Sequence, residues 1–245
     1  MPKEVVPEAA RRRRRPTRTG TVLSEALIVE TALRMLREHG SAGLSARRLG
    51  AALGADPSTL YRYFAGMDEL TRAIGEELTG RALEGWRPGG DWREDLRALG
   101  LRVHGAYLAH PQAAVLTASR VTGRPREIAA DEAVLGVLRG AGFPDRDAVR
   151  IYHAFIDQSL AFAALDAGAL ALAAEARSVD EDMWRTTYAR LPADRYPHLA
   201  ATAGLLAARM TESAYPDALD LLLRSAAAEL AAVGDRSDGA RRREP

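Results

Sequence analysis

The stretch that most limits what this chain can become runs from Ser24 to Phe64, because it spells three short helices with a sharp turn before the last. Leu27, Ile28, Thr31, Ala32, Met35 and Leu36 recur at helical spacing and predict a first helix from Ser24 to His39. Ser24 suits its N-cap, and Gly40 can take the left-handed conformation that closes it. Ser45 caps a second helix through Leu53, with Leu49, Ala52 and Leu53 as its expected buried stripe. Gly54 permits a tight turn, and Asp56-Pro57 restarts the chain as N-cap and first helical residue. The third helix, through Phe64, is too short to stand alone in water, so Leu60 and Phe64 must hold it against the other two. That leaves Pro57, Ser58, Thr59, Tyr61, Arg62 and Tyr63 on the outward side, a set that suits a DNA major groove better than bulk solvent. Arg47 and Arg48, on the helix before the turn, complete the expected DNA-binding residues.

Leu44 to Gly50, Gly54, Thr59-Leu60-Tyr61-Arg62-Tyr63-Phe64 and Asp68-Glu69-Leu70 together resemble the tetracycline-repressor (TetR) family of bacterial regulators, without a gap. Two positions depart from the family pattern: Gly50 stands where Ala is frequent, and Met67 where a phosphate-contacting Lys is usual. The resemblance implies an all-α chain, with an N-terminal helix-turn-helix DNA-binding domain and a larger helical ligand-binding and dimerisation domain. Its later carriers are Trp92 to Arg97, Ala141-Gly142-Phe143, an apolar eighth helix and Leu219 to Leu223. Members of the family pair their eighth and last helices in a four-helix dimer interface. Laid against the tetracycline repressor itself, the magnesium-chelating histidine falls at Leu116 and a drug-contacting histidine at Leu83. Both replacements are apolar, which implies that a metal–tetracycline chelate is not the inducer here, while Ser119 and Arg120 keep a polar corner.

The net charge of +1 conceals an asymmetry. Residues 1–66 hold 12 basic and 6 acidic groups, and the remainder 22 and 27, so a head of +6 precedes a body of −5. Such a distribution steers one end of a molecule toward a polyanion and repels the other. Cysteine is absent, which removes disulfides, thiolate chemistry and cysteine zinc sites, and fits a reducing bacterial cytoplasm, at the nucleoid when DNA-bound. No run of 18 apolar residues predicts a membrane span, and the basic N-terminus lacks the apolar segment of a signal peptide.

Residues 1–21 read as a disordered basic arm whose Arg11 to Arg15 would follow phosphates or a narrow minor groove. The helix-turn-helix domain occupies 22–66, a helical regulatory and dimerisation domain 67–233, and a disordered polar tail 234–245. Within the larger domain the pattern predicts a fourth helix from Met67 to Trp86, and a fifth from Trp92 to Ala109 opened by an Asp91–Glu94 capping box. A sixth spans Gln112 to Val121. A seventh, with Ile128, Val134, Leu135 and Leu138 inward, ends at Ala141. The eighth, Asp145 to Ala167, is apolar nearly all round and must be covered on both sides. Gly168 to Asp182 reads as loop or weak helix, followed by helices at 182–190 and 199–210 and a last one from Pro216 to Val233. No strand candidate or internal repeat appears.

Signs of catalysis are thin. None of His39, His104, His110, His153 and His198 makes an i, i+4 metal pair, and His153, Asp157 and Ser159 on one helix cannot form a Ser-His-Asp relay. No enzyme, cofactor or metal site is expected. Trp86, His104, Leu116, Ser119, Arg120, Gln158, Ser159 and Phe162 are the candidate ligand-binding residues. The expectation is a homodimeric regulator, most naturally a repressor, that binds a near-palindromic double-stranded DNA operator and is released by a small-molecule inducer. The alternative is a DNA-binding regulator without a small ligand, controlled by a protein partner or constitutively bound. A cavity at Trp86, His104, Leu116 and Gln158 would separate the two.

Overall fold

Each turn of the N-terminal module is closed by the side chain the sequence supplies for it. The computed structural model describes residues 22–241, with side chains to residue 232, so the arm at 1–21, residues 242–245 and the Val233 side chain lie outside it. Helix α1 (Glu25–His39) begins where Ser24 Oγ accepts from the Leu27 amide at 3.1 Å, and ends at Gly40 with φ +65°. Helix α2 (Ala46–Leu53) is capped by Ser45, and Gly54 takes the left-handed conformation after it. Asp56 Oδ1 accepts from the Ser58 amide at 2.8 Å and starts α3 (Pro57–Leu60). Beyond Leu60 the expected helix tightens into i→i+3 turns, Arg62 N–H to Thr59 O and Tyr63 N–H to Leu60 O, which carry Phe64 into the core.

Two side chains of this module differ from the periodicity. Ala52 is exposed, and Gly50 takes its place in the buried stripe: a Cβ there would stand 2.9 Å from the Ala55 carbonyl oxygen. Helix α1 buries Val29 and Leu33 besides the expected face, because its far side packs on α4 (Met67–Leu83) and α6 (Pro111–Thr117). It therefore belongs to both the N-terminal module and the body behind it.

In the body, α4 buries Leu70, Ile74 and Leu78 as expected but stops at Leu83, and a loop through Gly85 tucks Trp86 into the core. Helix α5 (Trp92–Leu108) is capped by Asp91, which accepts from the Arg93 and Glu94 amides. The carboxylate that folds back over the preceding loop is Asp95, accepting from Gly89 and Gly90, and not Glu94 as in a capping box. Helix α7 (Pro125–Gly140) turns Val134, Val137 and Leu138 inward, while Ile128 is exposed and Leu135 half-buried.

Helix α8 (Asp145–Ala171) runs four residues past its expected end and lies at the centre, against α5, α6, α7 and α11 (Tyr215–Arg241). By length and composition alone it could cross a membrane. Here Ala148, Ile151, Phe155, Ser159, Ala163 and Ala167 form its inner face, and Asp166 bonds His104 of α5. Helix α9 (Ala174–Asp182) occupies much of the segment expected to be loop or weak helix. Residues 183–190, expected as a helix, form one π-turn and one 3₁₀-turn before α10 (Pro197–Arg209). Helix α11 continues to Arg241, past the expected stop at Val233. Among the described residues there are eleven α-helices and no strand: the chain is all-α.

Candidate nucleic-acid interface and the cavity behind it

The turn between α2 and α3 presents a compact polar surface. Arg47, Arg48, Ser58, Tyr61 and Arg62 are exposed, Tyr61 by 55%, and Pro57 and Thr59 are half-exposed. Arg48 Nη1 donates to the Ala42 carbonyl at 3.4 Å. Hydrogen bonds from Ser58 hold the Asp56 carboxyl below the usual carboxylate range, so it remains an ionised cap. Tyr63 departs from the expected outward set. It is half-buried, and its hydroxyl donates to the Leu23 carbonyl at 3.0 Å, tying α3 to the entry of α1. Met67 is half-buried on the core rather than presented outward.

Behind this module an arginine-rich joint connects it to the body. Arg124, at the cap of α7, bonds Glu76 of α4 and, at 3.1 Å, Glu25 of α1. Arg120 pairs with Asp68, and Arg81 with Glu30 at 2.6 Å and Glu77 at 3.0 Å. Arg81 also lies 2.7 Å from His110 Nε2. Burial, then the Arg81 charge, depresses the His110 pKa, so its neutral ring accepts from Arg81.

Between α4, α5, α7 and α8 lies a cavity of about 250 Å³. Leu83, Leu99, Val103, Val134, Phe155 and Leu160 supply most of its apolar wall, with Thr79, Tyr107, Ser119, Arg120, Glu127, Asp131, Tyr152 and Asp157 as its polar groups. The Tyr152 hydroxyl donates to Asp131 Oδ1 at 2.8 Å. Desolvation raises Asp131, and desolvation together with that bond raises the Tyr152 phenol well above the usual range.

Of the eight ligand-binding candidates, only Ser119 and Arg120 line this cavity. Trp86 is buried in the core beyond the end of α4, and Leu116 packs on the core from α6. His104 stacks on Tyr215 at 4.7 Å between ring centroids and bonds Asp166 at 2.7 Å. Ser159 is fully buried and shares a 2.7 Å bond with the Tyr215 hydroxyl, while Phe162 lies 5.7 Å from the same ring. These groups knit α5, α8 and α11 together rather than facing the void. Gln158 Oε1 is buried without a partner and lies outside the cavity lining. His153 and Asp157 pair at 3.0 Å on the exposed side of α8, opposite Ser159, so the three share no site.

Sequence reasoning passed over Tyr107, Glu127, Asp131 and Tyr152. A signal was present: Glu127 and Asp131 lie four residues apart on α7, on the flank of the stripe that buries Ala130 and Val134.

Known proteins agree with this arrangement. The family model for the tetracyclin repressor-like C-terminal domain matches residues 85–225, and that for bacterial regulatory proteins of the tetR family matches residues 28–74. An HTH-type transcriptional regulator of Saccharopolyspora erythraea is 30% identical over 131 residues, 54% of this chain and 56% of that protein. The chain thus spans about half the length of that relative. Tetracycline repressor protein class C of Escherichia coli is 31% identical over 173 residues, 70% of this chain and 77% of the repressor. Among solved structures, a possible TetR family regulator from Streptomyces coelicolor A3(2) matches with TM-score 0.68 and 30% identity, over 86% of this chain and all of that one. ActR of Streptomyces coelicolor, solved with actinorhodin, gives TM-score 0.71 and 25% identity over 86% of this chain and 96% of its own. BioQ, solved on its double-stranded DNA operator, gives 0.53 and 28% over 60% and 88%. Matching models on both the reader and the body, together with relatives that are regulators and not enzymes, mean that the chain belongs to the TetR family of bacterial transcriptional regulators.

Proposed function

We propose that this regulator is a homodimeric repressor that grips a near-palindromic DNA operator with two copies of the α2–α3 turn and lets go when a small molecule enters the cavity. The observation that carries this reading is the double role of α4. Its N-terminus follows the reading turn directly, and its C-terminal turn supplies Thr79 and Leu83 to the cavity wall. A ligand shifts a conformational equilibrium only through differential affinity, and one that fits a single position of α4 also selects a single position of the reader. Arg47, Arg48, Pro57, Ser58, Thr59, Tyr61 and Arg62 would meet the DNA, with Tyr63 setting the pitch of α3. ActR with its actinorhodin and BioQ on its operator support both halves by likeness, and a regulator of this kind acts in the cytoplasm, where the DNA is.

The dimer rests on the outward faces of α8 and α11. Ala154, Ala161, Leu165 and Ala169 form one exposed strip, and Leu221, Ser225 and Ala228 form another of small side chains around one leucine. A two-fold copy would cover both and place two readers on one DNA face. The presence of a cavity favours a ligand over regulation by a protein partner or constitutive binding, although its walls are not those expected from the sequence.

The test is to recover genomic fragments bound by the purified protein, define the operator by footprinting, and titrate a small-molecule library against the complex. Two half-sites one or more helical turns apart, and release by a compound that loses effect in Leu83→Trp, would establish the reading. A single half-site, or no compound that releases the operator, would overturn it.

A further inference from the structure

The polar groups of the cavity carry an unbalanced charge. Three carboxylates, Glu127, Asp131 and Asp157, line it against one guanidinium, Arg120, and that guanidinium is paired with Asp68 of α4. Glu127 accepts from the Thr122 amide at 2.9 Å, the Thr122 hydroxyl at 2.9 Å and the Gly123 amide at 2.6 Å. Asp131 accepts from the Tyr152 hydroxyl. These donors are neutral: they satisfy lone pairs and leave the charge in place. Asp157 stands at the mouth, 70% exposed, with His153 as its neighbour. Desolvation penalises the Asp131 anion, and the nearby Glu127 charge adds to the penalty. Glu127 and Asp131 are half-buried; a partly desolvated carboxylate without a cation carries a cost, and a ligand that supplies the cation recovers it on binding. The rest of the wall is hydrocarbon and aromatic, from Leu83, Leu99, Val103, Val134, Phe155 and Leu160.

We propose that the cavity selects an organic cation, an ammonium or similar cationic nitrogen carried on an apolar ring-bearing body, with Glu127 and Asp131 as its counter-charges. This rests on the reading of the cavity as the effector site. Glu127 also links occupancy to the joint, since it pins Thr122 and Gly123 just before Arg124, which holds Glu76 and Glu25. A cation that draws Glu127 inward loosens the loop that carries this clasp between body and reader.

The experiment uses the full-length protein and three fluorescent probes of equal length: 1-naphthylamine bearing an N-(3-ammoniopropyl), an N-butyl or an N-(2-carboxylatoethyl) tail. Fluorescence titration should show the ammonium probe bound at least about tenfold tighter than the neutral one, with the anion weakest. In the Glu127→Gln/Asp131→Asn double variant, the ratio of ammonium to neutral affinity should fall from at least about tenfold to about one. Neutral or anionic probes binding the wild type as tightly as the ammonium would overturn the proposal. So would a cation preference that survives in the double variant. If none of the three binds, the effector cavity itself fails and the proposal falls with it. The comparison on the wild type decides the matter even if the double variant is unstable.

Discussion

Replacing Leu221 with glutamate should separate the subunits without unfolding them. Leu221 is 61% exposed on α11, and Leu165 of α8 is 68% exposed. Complete burial of a leucine contributes about 1.5–3 kcal/mol, so covering the exposed share of each contributes roughly 1–2 kcal/mol. Two-fold symmetry doubles the term, so Leu221→Glu forfeits roughly 2–4 kcal/mol before the two carboxylates are counted. Those carboxylates would have to enter an apolar interface unpaired, which adds several kcal/mol more. The dimer dissociation constant should therefore rise by at least about 10³-fold. Sedimentation equilibrium reads the association constant, circular dichroism checks the fold, and fluorescence anisotropy of a labelled operator reads DNA binding. Leu165→Glu should behave alike. Leu223, two residues along but only 4% exposed in its own subunit, gives the contrast: Leu223→Glu should unfold the monomer at any concentration. A folded Leu221→Glu protein that remains dimeric with unchanged association would place the interface elsewhere and refute the argument from these faces.

Arg62→Ala should weaken operator binding by about 1–3 kcal/mol, with helicity and dimerisation intact, and unchanged affinity in a gel-shift titration would remove Arg62 from the reading surface. Gly100 sits where α5 crosses α8 and α11, and a Cβ there would stand 2.5 Å from the Tyr215 hydroxyl and 2.9 Å from Leu219 Cδ2. Gly100→Ala should thus lower stability in a urea melt by about 1–2 kcal/mol, overpacking outweighing the gain in helix propensity, and a stabilised variant would show that the crossing yields freely. Burial pushes the Tyr215 phenol up to about 12. Below pH 10 the phenol is neutral whether folded or unfolded, and between pH 10 and 12 only the unfolded chain ionises. Stability should therefore hold up to pH 10 and then fall by about 2–3 kcal/mol, and Tyr215→Phe should flatten that loss. An unchanged alkaline transition in Tyr215→Phe would assign it to other groups.

Much of the reader was legible in the sequence because its grammar is local. Ser24, Ser45, Gly54 and Asp56-Pro57 act within three or four residues of themselves and cap as the sequence predicts, while Gly40 closes α1 with a positive φ but a ψ of −175°, outside the left-handed helical region. The all-α class and the inward stripes of α4 and α5 follow likewise from periodicity, and family likeness reaches the same class by another road. Periodicity says which face of a helix is apolar, but not how many neighbours it meets. Val29 and Leu33 are buried because α1 also serves the body, Ile128 is left outside, and Tyr63 turns inward to reach a carbonyl forty positions earlier. The cavity is the clearest case. Its polar wall joins Thr79, Tyr107, Glu127, Asp131 and Tyr152 from four helices, while Ser159 and His104, equally polar by sequence, are consumed by Tyr215 and Asp166. Which of two polar residues faces a void and which satisfies a neighbour depends on helix crossings set by long-range packing, and no spacing along one chain encodes the distance between two helices.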